Sequence, residues 1–364
     1  MPQIWKNTLA VDYRLPVSFP LTLTVEGMYN KDIYNVVMRN WNIVNNGNLS
    51  RFAGPDNRLD YSTSTTGNYL VDKNVTGGAV ILDNDTRGYS ASFNTMVTAE
   101  PIKDLNLMFS YTHQWAKEIT GLPGNQAYST WQGLYAVDGP NNAELHNAQY
   151  LTPDKLIASL TYRKDYGKYF ATSVGLYYAA YSSGMYNYYY SNDMNGDKNS
   201  FDLMYIPRTK DELKFVDKNG FTAAEQAEAF WRFVEQDKYL SAHKGEYAEA
   251  YGAALPWVHR FDLKVTQDFR LRAGKAIHTL QLSFDILNVG NLLKSSWGVT
   301  QTTSPSNYGK ILRYEGKDAN GVPTYSMGYN TVNKKKELYS RTYEPYRNSS
   351  NCWQMQIGLR YIFN

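Results

Sequence analysis

The chain has 364 residues and lacks the features that mark several common classes of protein. Its only cysteine is Cys352, so no disulfide can form within the chain, and a lone thiol does not indicate a metal or nucleophilic site. It contains no run of eighteen apolar residues, which excludes a transmembrane helix. Charge of neither sign dominates: 37 basic and 34 acidic residues give no indication of a nucleic-acid partner.

Catalytic motifs are absent from the sequence as well. None of the five histidines belongs to a Ser/His/Asp pattern or lies beside paired carboxylates. There is no GxSxG, HExxH or phosphate-binding glycine loop. We therefore do not expect an enzyme.

The clearest positive signal is the pattern at the end of the chain. Between residues 353 and 363 apolar side chains occupy every second position, and the residues between them are mainly polar. A period of two indicates a strand with one apolar face. Its length suits a tilted strand that crosses a bilayer, which needs roughly 9–11 residues. The apolar positions are Trp353, Met355, Ile357, Leu359, Tyr361 and Phe363.

The same alternation recurs upstream, and it predicts about nine long strands in total. Four connections are short, at 16–20, 101–104, 165–168 and 273–275, whereas 43–85, 119–153, 192–255 and 291–352 are long and polar. Short turns that alternate with long loops are typical of a transmembrane barrel, with its turns in the periplasm and its loops outside the cell. The apolar rows include Leu9, Val11 and Tyr13; Leu21, Leu23 and Val25; Ala91, Phe93 and Val97; Leu105, Leu107 and Phe109; Leu156, Leu160 and Tyr162; Phe170, Val174 and Leu176; Phe261, Leu263 and Val265; and Leu280, Leu282 and Phe284.

The predicted fold is therefore all-β: a segment of an antiparallel transmembrane β-barrel. The 32 tyrosines and 8 tryptophans suit aromatic girdles at the two membrane surfaces. A soluble, tyrosine-rich carbohydrate-binding domain is the alternative. Nine strands would leave an unpaired edge that lipid does not tolerate, and residues 1–5 do not resemble a signal peptide. We therefore expect an incomplete barrel, either the C-terminal part of a longer chain or a chain with an internal start.

Several stretches resemble a known family. Residues 259–263 (HRFDL) and 279–292 (TLQLSFDILNVGNL) resemble the penultimate hairpin of TonB-dependent outer-membrane receptors, and 356–363 (QIGLRYIF) resembles their last strand. Residues 16–21 (PVSFPL) and 192–207, which contains NDMNGD and DLMYIP, are similar to the Oar-like branch, whose members carry an N-terminal carboxypeptidase-regulatory-like domain. The resemblance extends over essentially the whole chain.

The resemblance implies a barrel of about 22 strands with a plugged lumen. It also implies uptake or export of a large solute across the outer membrane of a Gram-negative bacterium, powered by TonB. The sequence has no counterpart of the plug, the TonB box or the N-terminal domain, so residues 1–364 would be the C-terminal part of the barrel. The implied partners are outer-membrane lipid, the plug and earlier strands, TonB through those parts only, and a surface lipoprotein. The alternative is an adhesin-like or structural surface barrel without active transport.

An acidic segment in the third long loop is a candidate calcium site. Side-chain oxygens at alternate positions, followed by a later carboxylate, suggest a calcium loop. The match to an EF-hand is incomplete, because Lys198 replaces its glycine and Met204 its final glutamate. A run of Asx turns without a metal accounts for the same residues. The candidate ligands are Asp193, Asn195, Asp197, Asn199 and Asp202.

Aromatic residues of the same loop are candidate ligand contacts. Tyrosines offer large, rigid surfaces for sugars or peptides, although girdle or loop packing would use them equally well. Thr222 and Glu225 form a capping box that predicts a helix through Val234 and onward to Leu240. This helix could contact substrate or could simply pack on neighbouring loops. The candidate contacts are Tyr186, Tyr188, Tyr190 and Trp231.

Charged residues at the polar positions of the last strands are predicted to face the lumen. Side chains of opposite sign could pair with one another or with the plug, and we assign them to such contacts rather than to catalysis. They are Arg260, Asp262, Lys264, Asp268, Arg270 and Arg360.

Overall fold

A computed structural model describes residues 1–44, 46–64, 69–75, 78–122, 124–304 and 308–363. The fold is mostly antiparallel β, with 51% of residues in strands and 12% in helices. None of the helices in the described residues is both long enough and apolar enough to cross a membrane. Parts of the first, second and fourth long loops, and the terminal Asn364, lie outside the described residues.

Nine long strands form the path of the main sheet, and each pairs with the next along the chain. All eight pairings are antiparallel, so the sheet is a simple meander. The strands are β1 (Gln3–Arg14), β2 (Leu21–Asn40), β3 (Tyr89–Ile102), β4 (Leu105–Glu118), β5 (Asp154–Tyr166), β6 (Phe170–Ser182), β7 (Trp257–Ala273), β8 (Ala276–Leu287) and β9 (Gln354–Phe363).

The register of this sheet keeps the apolar rows on one face. Leu176 of β6 lies opposite Leu160 of β5 and Leu263 of β7. Leu282 of β8 lies opposite Leu359 of β9 in the same way. Because side chains alternate between faces, every row that the sequence predicted lies on the same face, and the residues of the other face are mainly polar.

The main sheet is open within the described residues. β1 pairs with β2 and β9 with β8, and no pairing joins β1 to β9. The prediction of about nine long strands is confirmed for the path of the sheet, but the total number of strands is higher. Two short strands extend the sheet: Val80–Asp85 pairs with the end of β2, and His146–Asn147 pairs with the end of β4.

The short connections all lie at one end of the sheet, as the sequence predicts. At one of the two tightest, Ala273 pairs with Ala276 around Gly274 and Lys275. Gly274 has a φ of 66°, a left-handed conformation that glycine adopts without a steric penalty. We call this the turn end of the sheet and the opposite end the loop end.

Four long segments leave the loop end: 41–88, 119–153, 183–256 and 288–353. We call them the first to fourth loops and their described parts together the loop domain. They contain the helices α1 (Ala127–Gln132), α2 (Ala223–Gln236), α3 (Lys238–Ala242) and α4 (Val289–Leu293). Their remaining short strands are Ser50–Arg51, Leu59–Asp60, Met185–Tyr186, Lys214–Phe215, Ala253–Ala254, Gln301–Thr303, Leu312–Lys317, Pro323–Met327, Tyr329–Val332, Lys335–Leu338 and Tyr343–Pro345.

The predicted helix of the third loop is confirmed, but it ends earlier than Leu240. The Thr222 side chain accepts a hydrogen bond from the Glu225 N–H (3.2 Å), and Glu225 Oε2 accepts one from the Thr222 N–H (2.8 Å). Asp237 then adopts an extended conformation, with φ −89° and ψ 127°, and caps α3 instead. An aspartate that accepts from the N–H groups of the next turn favours a new helix start over continuation.

A buried ion pair joins three of the four loops. Arg58 Nε donates to Asp56 Oδ1 (2.8 Å), and Arg58 Nη2 donates to the Leu203 carbonyl (2.6 Å). The hydroxyls of Tyr190 and Tyr325 donate to Asp56 Oδ2 at 2.6 and 3.0 Å. Burial opposes the charge of Arg58, but the fields of Asp56, Tyr190 and Asp202 together with the Asp56 hydrogen bond outweigh it and raise the pKa of the guanidinium. The second loop joins through the Ala136 N–H, which bonds to the Phe201 carbonyl.

Candidate functional site

The acidic segment of the third loop is folded as a succession of Asx turns. Asp193 accepts from the N–H groups of Gly196 (2.7 Å) and Lys198 (3.0 Å). The side chain of Asn195 accepts from the Asp197 N–H (3.0 Å), and that of Asp197 accepts from the Asn199 N–H (2.7 Å). Such local bonds satisfy backbone donors where neither helix nor strand is available.

The segment lies deep in the loop domain. Asn195, Asp197, Asn199 and Asp202 are all buried. Asp202 accepts from the Met194 N–H at 2.7 Å, and its second oxygen lies 3.9 Å from Arg58 Nη1. The acidic segment therefore packs directly against the Arg58–Asp56 pair.

Burial disfavours the charged forms of these carboxyl groups. Desolvation raises the pKa of Asp193 and raises that of Asp202 well above its ordinary range. Desolvation, followed by the charge of Asp193, raises the pKa of Asp197 to about 7. Its Oδ2 has one weak amide contact, from Asn195 Nδ2 at 3.4 Å. The charge of one acid therefore adds to the desolvation that already disfavours ionisation of the next.

The arrangement of the oxygen atoms in the acidic segment is relevant to the predicted calcium site. In the part of the chain that is described, no three histidine, cysteine, aspartate or glutamate side chains converge closely enough to hold a metal ion. The turn bonds already occupy at least one oxygen of Asp193, Asn195, Asp197 and Asn199. This arrangement favours the alternative of Asx turns without a metal, and calcium stays a prediction.

The tyrosines predicted to contact a ligand are buried in the core of the loop domain. Tyr188 and Tyr190 are 1% and 0% exposed, and Tyr186 is buried beside them. The Tyr188 hydroxyl donates to Asp237 Oδ2 (2.6 Å), as the Tyr190 hydroxyl does to Asp56. These rings have no surface for a ligand in this conformation, so their placement favours loop packing over the predicted contact. Trp231 is partly exposed, and Lys244 Nζ lies 4.7 Å from the centroid of its ring.

The residues predicted to line a lumen lie on the polar face of the sheet. Register places Arg260, Asp262, Lys264 and Asp268 opposite residues of β6 that do not belong to the apolar rows, and Arg270 opposite Thr279 of β8. Arg360 lies opposite Gln281 on the same face. Lys264 bonds to Asp285 at 2.6 Å, and Asp262 accepts from the Asn288 N–H at 2.7 Å.

Two further charged residues complete this network, and sequence analysis did not single them out. Arg163 and Asp165 of β5 form a closed ring of ion pairs with Asp268 and Arg270. Arg163 lies 2.9 Å from Asp268 and 3.6 Å from Asp165. Arg270 lies 2.7 Å from Asp165 and 3.5 Å from Asp268. Their positions in the sequence could have identified them, because both residues occupy polar positions in the alternating pattern of β5.

No protein-family model matches the chain, and a search of curated proteins finds no match.

The raised pKa of Asp197 predicts that the stability of the loop domain depends on pH. The folded state holds the proton up to about pH 7, whereas an unfolded aspartate loses it near pH 4. Stability should therefore fall, by up to roughly 4 kcal/mol, as pH rises from about 4 to about 7. Asp197→Asn should flatten this dependence, and Asp211→Asn, an exposed control, should not. Protease susceptibility of the loops as a function of pH and urea measures it; identical profiles for Asp197→Asn and the parent would contradict the prediction.

Proposed function

We propose that this chain forms the C-terminal part of the barrel wall of a TonB-dependent outer-membrane transporter for a large solute. The observation that carries the proposal is an exposed apolar face bounded by an aromatic belt at each end. The loop domain would face the outside of the cell, and the turn end would face the periplasm.

The exposed face of the sheet supports a lipid environment. Leu9 of β1 is 75% exposed and Leu359 of β9 is 70% exposed, so the apolar surface reaches both edges of the sheet. Soluble proteins rarely expose continuous apolar surface of this extent, because water makes it unfavourable. Hydrocarbon would cover it without that cost.

The two belts differ in composition. Four exposed tryptophans lie at the loop end of the face, and tyrosine and phenylalanine replace them at the turn end. Trp5 and Tyr13 are eight residues apart on β1, which is roughly 26 Å along a strand and about 20 Å once the strand is tilted. This approaches the apolar band of about 25 Å in outer-membrane barrels. The members are Trp5, Trp115, Trp257 and Trp353 at the loop end, and Tyr13, Tyr166, Phe269, Tyr361 and Phe363 at the turn end.

The two edges of the sheet support additional strands in the complete wall. Every residue of β1 is exposed, and its outer edge has no partner among the described residues. In lipid each backbone N–H and C=O must be paired, so a membrane wall has to close. β1 and β9 both run from the loop end to the turn end. Antiparallel closure between two strands of the same direction requires an odd number of strands between them.

Those strands and the plug are the proposed partners in the wall, together with outer-membrane lipid. Contact with TonB would run through these parts, and a surface lipoprotein could cover the loop domain. The polar face of the sheet would line the lumen, and several of its charged side chains form ion pairs with one another. Neither catalysis nor nucleic-acid binding forms part of the proposal.

Calcium binding by the acidic segment is a subsidiary proposal. Its support is the burial of neighbouring carboxyl groups whose charged forms are disfavoured, because a divalent cation would stabilise those forms. Calorimetric titration with CaCl₂ at pH 7.5 should give a dissociation constant of about 10⁻⁴–10⁻³ M, the range of extracellular modules. Asp193→Asn combined with Asp197→Asn should abolish binding, and Asp211→Asn should preserve it. Absence of saturable heat in the parent would reject a calcium site.

The orientation of the apolar face predicts the effect of a charge on it. Leu282→Arg should destabilise the inserted protein by roughly 2–4 kcal/mol, because it places a guanidinium near the middle of the bilayer. Gln356→Arg, on the polar face of the neighbouring strand, is the matched control. Folding into lipid vesicles, followed as heat-modifiable mobility on a gel, measures both. If Leu282→Arg inserted as well as the control, the assignment of the lipid-facing side would be wrong.

The transport proposal predicts the mass of the native protein. Intact-mass spectrometry of material extracted from outer membranes should give a mass well above 41.6 kDa, because the proposed transporter would have its plug and further strands on the same chain. An inserted, heat-modifiable species near 41.6 kDa would instead favour the adhesin-like or structural alternative.

A further inference from the structure

A small cavity lies in the loop domain between the second and third loops. Its volume is about 240 Å³, and Tyr135, Asp138, Glu144, Tyr247 and Glu249 contribute to its lining. Sites for whole drug-sized ligands usually measure about 300–1,000 Å³. The cavity therefore suits one side chain or a group of similar size rather than a complete large solute.

The aromatic rings that line the cavity are fixed by packing against neighbouring side chains. The ring of Tyr135 meets those of Tyr189 and Phe201 edge to face, both at 5.0 Å. The ring of Tyr247 contacts Tyr205 (5.4 Å between ring centroids) and the Arg58 guanidinium (5.3 Å from the centroid). Because Tyr189, Tyr205 and Arg58 are buried, the walls are preformed and a ligand need not order them.

The charge of the cavity is acidic. Its lining contains three carboxylates, those of Asp138, Glu144 and Glu249, and one guanidinium, that of Arg51. Arg51 is already paired with Asp138, with nitrogen–oxygen distances of 2.9 and 3.3 Å. This leaves the two glutamates as the charged groups with capacity for a ligand.

The negative charges of these two glutamates are only weakly neutralised by neighbouring cations. Glu144 is exposed and forms no ion pair with any described residue. Its cationic neighbour Arg87 is engaged by Asp85 at 2.7 Å. The Glu249 side chain is 57% exposed and lies 3.5 Å from Lys117, beyond good hydrogen-bond distance. Both carboxylates can therefore accept from an incoming donor.

We propose that this cavity binds the basic side chain of a lysine or arginine in a peptide that reaches the loop domain. Glu144 and Glu249 would form ion pairs with its cationic group. The rings of Tyr135 and Tyr247 would contact its aliphatic part and its cation. An anionic ligand is disfavoured by the same carboxylates. The inference deepens the proposed function, on which it rests for the external position of the loops, by naming a class of ligand.

The test uses the full chain inserted in detergent micelles or vesicles. Calorimetry would compare three capped tripeptides, Gly-Arg-Gly, Gly-Gln-Gly and Gly-Glu-Gly, at low and high salt. We expect the arginine peptide to bind at least ten times more tightly than the other two and to weaken as salt screens the rim. Glu144→Gln with Glu249→Gln should reduce its affinity at least tenfold. Glu246→Gln, an exposed control on the same loop, should leave it unchanged.

Equal affinity for the arginine and glutamine peptides would overturn the inference, as would binding that the double variant leaves intact. Heat-modifiable mobility of the same samples separates this result from failure of the proposed function. An inserted protein that does not discriminate the peptides rejects the cavity proposal alone. A protein that binds arginine selectively but does not insert rejects the membrane proposal alone.

Discussion

The fold depends on one constraint, the antiparallel register that keeps like faces of successive strands together. Side chains alternate with a period of two, so a slip of one residue in any pairing would move a whole row to the opposite face. The tight turns limit such slips: Ala273 and Ala276 pair around two residues, which fixes β7 against β8. This register determines which face each side chain occupies. It places Leu263, Leu282 and the tryptophans of the belt on the apolar face, and it brings Asp268 to its ion-pair partners on the other face.

The loop domain depends on a second interaction, the buried pair of Arg58 and Asp56. A buried ion pair is costly unless further bonds satisfy it. Here two tyrosine hydroxyls and a backbone carbonyl bond to the pair, and Arg58 Nη1 has only the 3.9 Å ion contact with Asp202. Because these partners come from the first, third and fourth loops, none of the three can adopt its place independently of the others. The preformed rings around the acidic cavity depend on the same pair, since Arg58 lies behind Tyr247.

Local patterns in the sequence sufficed for the sheet and for α2. Alternation locates the strands, short polar connections locate the turns, and the capping box at Thr222 locates the helix start. The loop domain could not be predicted in this way. Tyr188 and Tyr190 have the composition of an exposed aromatic surface, and only contacts with Asp237 and Asp56, far away in sequence, determine that they are buried. Glu144 and Glu249 are likewise brought to one cavity by long-range packing.

The length of β2 has a mechanical consequence. This strand has 20 residues, and Val80–Asp85 pairs with its final residues where β3 has already ended. A hydrogen-bonded ribbon of this kind resists bending far more than a single extended segment does. This ribbon forms a rigid connection between the sheet and the first loop. The first loop packs in a common core with the other three loops. Because β2 continues without a break from the sheet into the loop domain, it would resist tilting of that domain against the sheet.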